Sequence, residues 1–333
     1  MICSDIHLNI SRRLDDTVCA LTQIREIAED YQVDKVLILG DTFTSRRPHS
    51  KEMTEFERWI RSIAKWIPVV VLRGNHDEYP DGTHSYHAFE ELQVPNVTIA
   101  SNPHVEDNIF MGHFLLNEAK IGPSDYRVLE AMSVQELLEK YPGCLAYLLG
   151  DVHKHQVIRN SPLVAYAGSV EKNDFGERND VKGVIILHVT KEWYDDMAGY
   201  PLQSGGNLWW RFVPLKTRPM VQYDIDLNQP IESIPKDEIK EAVVKIVYQG
   251  TPAQLKLVRE DKVRKAVQEL CHELVIEYKI LREGRSRDER VNETVAPQSA
   301  LDMYIEKLGL DKKESEAVLK LGREIIDATS SRD

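Results

Sequence analysis

A chain of 333 residues exceeds the usual size of one domain, so two units, or one unit with appendages, are expected. Its composition, 42% hydrophobic and 29% charged, is that of an ordinary globular chain, and its apolar stretches are far too short to span a bilayer. The net charge of −12 counts against a protein that coats nucleic acid by bulk attraction, which needs clustered Lys and Arg.

No basic segment followed by an apolar one opens the chain, so a cytoplasmic protein with no membrane association is expected. The four cysteines (Cys3, Cys19, Cys144 and Cys271) are scattered, with neither a CxxC pair nor a framework spacing, and read as reduced thiols.

Short apolar runs alternate with amphipathic segments over the first two-thirds, the pattern of a layered α/β fold. Val18, Leu21, Ile24, Ala28 and Tyr31 recur at helical spacing, and Lys35 to Leu39 then reads as a buried strand. Met53, Phe56, Ile60 and Ile63 mark a second helix, and Val69 to Leu72 a second buried strand. Further strands are predicted at 97–100, 109–112, 145–149 and 183–189. After about residue 215 the texture changes to a small α+β unit. It has strands at 222–227, 243–248 and 275–281, and Thr251-Pro252-Ala253-Gln254 supplies a capped helix start. The charged run Glu283 to Asp288 reads as a mobile linker. From Pro297, Leu301, Tyr304, Ile305 and Leu308 form one apolar helical stripe; Val318, Leu321 and Ile325 form another. Periodicity alone leaves open whether these stripes dock on the chain's own body or on a partner.

Several predicted strands end in polar residues. Leu39 runs into Gly40-Asp41, Leu72 into Arg73-Gly74-Asn75-His76-Asp77, Met111 into Gly112-His113, and Leu149 into Gly150-Asp151-Val152-His153. Polar groups at strand carboxyl ends face a common crevice where ligands bind. Asp5 and His7 alternate on what reads as one extended strand, so both side chains should point the same way. Carboxylate, amide and imidazole donors suit Mn²⁺ or Fe²⁺ better than a thiolate zinc site. A carboxylate such as Asp41 can bridge two cations, and two metals roughly 3.5–4 Å apart can clamp a phosphodiester and activate water. Any one of these motifs alone would be uninformative; the ordered series is not.

That series resembles the calcineurin-like metallophosphoesterase superfamily, whose signatures are DxH, GDxxD, GNHD, GH and GHxH. The likeness narrows to the SbcD nuclease family, called meiotic recombination eleven in eukaryotes. The narrowing residues are Gly40-Asp41-Thr42-Phe43, Ser45-Arg46-Arg47-Pro48, Tyr166-Ala167-Gly168-Ser169, Asp174-Phe175-Gly176-Glu177, and Phe212 to Leu215 with Thr217-Arg218-Pro219. The resemblance implies a layered metallophosphoesterase β-sandwich flanked by helices over 1–214, a smaller α+β capping, DNA-binding domain over 215–290, and a helical tail over 297–328. It implies one metal held by Asp5, His7, Asp41 and His153, and a second by Asp41, Asn75, His113 and Asp151. His76 would act beside the scissile phosphate as proton donor or transition-state stabiliser, with Asp77 orienting its ring. Arg46 and Arg47 are the candidates for DNA phosphate contacts. The family further implies manganese-dependent 3′-to-5′ exonuclease action on duplex ends, endonuclease action on single strands or hairpins, and a homodimer. An SbcC-type, SMC-like ATPase would bind the C-terminal helices.

Three departures stand out. Asp151 replaces the family's His; carboxylate remains a competent ligand, but its charge offsets the cation's field, so hydrolysis should be slower or need higher pH. Thr44 replaces an acidic or His residue, and only four residues precede Asp5, where the family's first strand is usually longer. His49, His84, His87, His104, His155, His188 and His272 fall outside the motifs and read as surface or core histidines. Trp209, Trp210 and Phe212 read as residues that pack a domain junction and not as base-stacking ones. Two other readings share this metal core: a phosphatase or phosphodiesterase acting on a small substrate, and a DNA-end-binding scaffold weakened at Asp151.

Overall fold

The computed structural model describes residues 1–91, 93–122, 131–189, 203–205, 208–228, 234–258, 265–281, 297–308 and 312–330. The chain opens with β1 (Ile2–Cys3), α1 (Leu14–Asp30), β2 (Val36–Ile38), α2 (Ser50–Ala64), β3 (Val69–Leu72), α3 (His87–Glu91) and β4 (Val97–Ala100). There follow β5 (His104–Glu106), β6 (Ile109–His113), α4 (Val134–Lys140), β7 (Ala146–Gly150), β8 (Gln156–Asn160), β9 (Leu163–Tyr166) and β10 (Gly183–His188). The last third contains β11 (Gln203–Gly205), β12 (Leu208–Pro214), β13 (Met220–Asp226), α5 (Lys236–Ile239), β14 (Val243–Gly250), α6 (Pro252–Leu257), β15 (Glu273–Ile280), α7 (Pro297–Leu308) and α8 (Lys312–Ser330).

Two sheets face one another. The first has the order β11-β12-β10-β1-β2-β3-β4 and is parallel from β1 to β4, with Ile2 opposite Leu37, Val36 opposite Val69, and Val69 opposite Val97. The second has the order β5-β6-β7-β9-β8, with β6, β7 and β9 parallel. Side chains alternate across a strand. Ile2, Leu37, Val70 and Leu72 therefore meet Met111, Leu148 and Ala165 in a core between the sheets. The opposite set, Cys3, Val36, Ile38, Val69 and Val71, packs beneath Leu21 and Ile24 of α1 and Phe56, Ile60 and Ile63 of α2. On the far face of the second sheet, Phe110, Tyr147, Leu149 and Tyr166 are covered by Val134 and Leu137 of α4. The result is a layered β-sandwich with helices on both outer faces, as expected. Each fully buried aliphatic side chain in these layers contributes about 1.5–3 kcal/mol, and the central strands are buried on both faces, which explains their uninterrupted apolar runs.

The capping box read at Thr251 is formed, and a second one, at His49, joins it. Thr251 accepts from the Gln254 amide at the start of α6, and His49 accepts from Lys51 N while Glu52 accepts from His49 N at the start of α2. A third sheet has the order β13-β14-β15. The chain resolves into two compact units, one of Met1–Ile225, Glu232–Val247 and Arg259–Glu277, the other of Asp226–Ile231, Tyr248–Val258 and Tyr278–Asp333. The second unit holds α7 and α8, where Gly322 lies against Leu301 and Arg323 bonds Asp302 at 2.8 Å. The expected linker at 283–288 lies outside the described residues. Among the described residues no helix is long and apolar enough to cross a membrane.

Candidate metal centre

The ends of β1, β2, β3, β6 and β7 bring the strand-end residues together. One expectation needs correcting: Asp5 and His7 are not on an extended strand. β1 stops at Cys3, and Asp5 and His7 both adopt φ 49°, in the left-handed region. Their backbone amides donate to Gly40 O (3.1 Å) and Asp41 O (3.0 Å), so the chain turns at the strand end and laces onto the next loop. Asp41 (φ 51°) and Asp151 (φ 84°) share this conformation, which short polar side chains tolerate better than most. Gly74 and Gly150 are required by close approach. A Cβ on Gly74 would overlap the Asp41 carboxylate, and one on Gly150 would overlap Leu39 O and Ser4 Oγ.

The side chains converge on Asp41. Its Oδ1 lies 3.3 Å from His113 Nε2, and its Oδ2 lies 3.7 Å from His7 Nε2. His7 Nε2 is 3.0 Å from His153 Nε2, while His113 Nε2 is 3.0 Å from Asn75 Oδ1 and 3.9 Å from Asp151 Oδ1. Two sets of donors, Asp5–His7–His153 and Asp5–Asp41–His113, each have their atoms within 4.8 Å of one another. Asp5 belongs to both sets, and the two oxygens of Asp41 face one imidazole from each.

The electrostatics call for a cation. Asp5, Asp41 and Asp77 are buried, Asp5 Oδ2 and His7 Nδ1 have no hydrogen-bond partner among the described residues, and burying polar atoms without a partner is costly. Burial first, then the charge of Asp41, pushes the Asp77 carboxyl up to about 6. Burial and the neighbouring carboxylates Asp5 and Asp41 also raise Asp151. Burial lowers His7 to about 4, leaving a neutral imidazole suited to ligation. For His113 burial is outweighed by the Asp41 hydrogen bond and the charges of Asp5 and Asp41, which lift it to about 10. A proton there supplies positive charge that a divalent ion can supply instead. The orphaned Asp5 oxygen and the mixed oxygen and nitrogen donors fit hard-to-borderline divalent ions.

The surrounding contacts include several that motif reasoning did not assign. His113 is fixed by Leu39 O, 2.6 Å from its Nδ1, and by Asn102, whose amide brackets the His113 backbone at 2.9 and 3.0 Å. His153 Nδ1 lies 2.7 Å from Glu177 Oε1, and Lys182, buried, bonds both Glu177 (2.7 Å) and His153 O (2.9 Å). Glu177 belongs to the Asp174 to Glu177 motif, which was legible without its role. Asp77 does not face the His76 ring. Its carboxylate accepts from the amides of Asp41 (2.8 Å) and Gly74 (2.9 Å), tying two loops together, and His76 Nδ1 lies 3.0 Å from Thr44 O. His76 itself is exposed, its ring 5.7 Å from that of His7. Arg46 donates to Asn75 O (2.8 Å) and Glu78 O (2.6 Å), and Arg47 to Tyr79 Oη (3.0 Å); both remain exposed. His155 stacks on Phe212 at 4.0 Å, and Trp210, expected at a domain junction, is instead buried in the core between the two sheets.

The curated relatives are distant. The chain is 23% identical over 235 residues to the SbcD component of nuclease SbcCD from Staphylococcus epidermidis, covering 55% of this chain and 62% of that one. It is 24% identical over 276 residues to DNA double-strand break repair protein Mre11 of Methanosarcina acetivorans, covering 71% and 44%. The chain spans 26% to 62% of the length of the curated relatives it matches first. Among solved structures, the nuclease MPE of Pseudomonas putida aligns with a TM-score of 0.33 at 17% identity, covering 64% of this chain and 86% of that one. Residues 1–189, which carry every residue of the cluster, match the calcineurin-like phosphoesterase family, and the chain belongs to that family.

Proposed function

We propose that this chain is a DNA nuclease of the SbcD kind, hydrolysing phosphodiesters with two divalent cations, manganese in first place. The observation that carries the reading is the carboxylate of Asp41, whose oxygens face His113 and His7, beside a buried oxygen of Asp5 that has no partner among the described residues. Asp5, His7, Asp41 and His153 would hold one cation, and Asp41, Asn75, His113 and Asp151 the other. Bound there, the cations would neutralise the phosphate and make water nucleophilic near neutral pH. The chain's own groups do the rest. His76, exposed at the rim, gives a proton to the leaving oxygen as the phosphorus–oxygen bond breaks. Thr44 O sets the direction of its ring, and Asp77 holds the Asp41 and Gly74 loops in register. Arg46 and Arg47, exposed on the neighbouring loop, are proposed to meet the DNA backbone.

The small sheet and α6, within 215–290, are proposed as a DNA-binding cap. The helical segment 297–328 is proposed to bind an SbcC-type ATPase, a reading supported by Tyr304, Val318 and Leu321, which are exposed along its two helices. A homodimer is part of the same proposal. Incubating the chain with linear duplex DNA, hairpin DNA and p-nitrophenyl phosphate, with Mn²⁺ or a chelator, tests it. Metal-dependent DNA cleavage is expected, falling about 10²- to 10⁴-fold in His76→Ala. Release of p-nitrophenol with DNA left intact would assign the site to a small-substrate phosphatase. Metal and DNA-end binding without either hydrolysis would assign a scaffold.

A further inference from the structure

A second group of converging donors lies outside the Asp41 cluster, on the turn that leads into α3. Tyr86 and Phe89 are buried in an aromatic cluster with Phe43 and Phe56, with ring centroids 5.4 Å apart for Phe56 and Phe89. With those side chains committed inward, residues at intervals of three come out on one side. His84 Nε2 lies 3.4 Å and His87 Nδ1 3.5 Å from the same oxygen, Oε2 of Glu90. The two imidazoles are stacked, with centroids 4.1 Å apart and planes at 26°. Ligand atoms on all three residues lie within 4.8 Å of one another.

These separations match a particular coordination. Zinc with tetrahedral ligands at about 2.0–2.1 Å places neighbouring donor atoms about 3.3 Å apart. We propose that His84, His87 and Glu90 bind a zinc-like divalent cation, with water in the fourth position. His84 anchors the site: it is buried, its Nε2 is turned to Glu90 Oε2, and the backbone on either side is tied down. Glu78 bridges to His84, Ser85 N donates to Asp77 O at 2.9 Å, and Ser85 Oγ donates to Arg46 O at 3.1 Å. The stacked rings must open to admit an ion, and His87, exposed at the start of α3, is the ring that can swing. A cation here would clamp the segment that follows Asn75-His76-Asp77.

A bare pair of histidine–glutamate contacts is the competing account, and zinc stoichiometry separates the two. The full chain is stripped with a chelator, reloaded with Zn²⁺ against a competing chelator, and its zinc per chain measured by mass spectrometry. The same is done for His87→Ala/Glu90→Gln and for the milder His87→Gln. Both variants change exposed side chains, and far-UV circular dichroism checks their fold. The expected result is one zinc equivalent fewer in each variant, with the zinc of the Asp41 cluster retained. Equal zinc content in the wild type and in folded variants overturns the proposal.

Discussion

Asp151 carries the sharpest residue-scale question, because it puts a carboxylate among three buried ones at the rim of the cluster. A fourth negative charge weakens the field that a cation exerts on its water. Asp151→His should therefore raise hydrolysis at neutral pH and move the pH–rate profile downward; an unchanged rate and profile would discard this account. Glu177 makes a different demand. It orients His153, and partners that orient metal-binding histidines are typically worth 10- to 100-fold in affinity. Glu177→Gln should weaken Mn²⁺ binding by about that factor, read by titration calorimetry; wild-type affinity would show that Glu177 serves the fold alone. It also serves the fold, since burial would raise its carboxyl but His153 and Lys182 together bring it down from 4.5 to about 2. A depressed carboxyl stabilises above its unfolded value, so this contribution is complete above about pH 4.5 and disappears as pH falls toward 2. Glu177→Gln should flatten the acid limb of the stability curve in that window.

At the scale of elements, strands and helices were legible because their burial is one-sided or complete. The runs at 36–38, 69–72 and 146–150 are apolar throughout because both faces are covered, and the helix over 50–64 shows one apolar stripe because only one face is. Phe56, fully buried against Phe43 and Phe89, tests that layer: Phe56→Ala should cost about 3–5 kcal/mol in urea unfolding. The turn after β3 is under a tighter constraint. Gly74→Ala forces a methyl into the Asp41 carboxylate, so it should abolish hydrolysis and lower Tm, while Gly82→Ala, in an open turn, should leave hydrolysis intact. What the element scale hid was the path of residues 5–7. An alternating Asp-x-His pattern reads as a strand, but pairing of these amides with Gly40 and Asp41 carbonyls required the left-handed turn.

For the whole molecule, the nuclease reading separates chemistry from assembly. The cluster lies in residues 1–189, within the first compact unit, whereas the exposed apolar positions of α7 and α8 belong to the second. Tyr304→Ser with Leu321→Ser should accordingly leave DNA hydrolysis by the isolated chain unchanged. The same pair should abolish co-purification with an SbcC-type ATPase. Undiminished co-purification would send the search for that partner's surface elsewhere. The net charge of −12 fits such a division, because local cations at the cluster and a partner's surface would carry much of the grip on phosphate.

From the sequence alone came the layered α/β class, the order of the strands along the chain and the set of donor residues, because periodicity and strand-end motifs are local and survive in one dimension. Which atoms face which was settled only in three dimensions. The pairing of Asp41 with both His7 and His113, the turning of Asp77 toward backbone amides, and the reach of Glu177 to His153 join segments far apart in the chain. The grouping of His84, His87 and Glu90 depended on packing as well, since it is the burial of Tyr86 and Phe89 that turns three ordinary polar residues to one side.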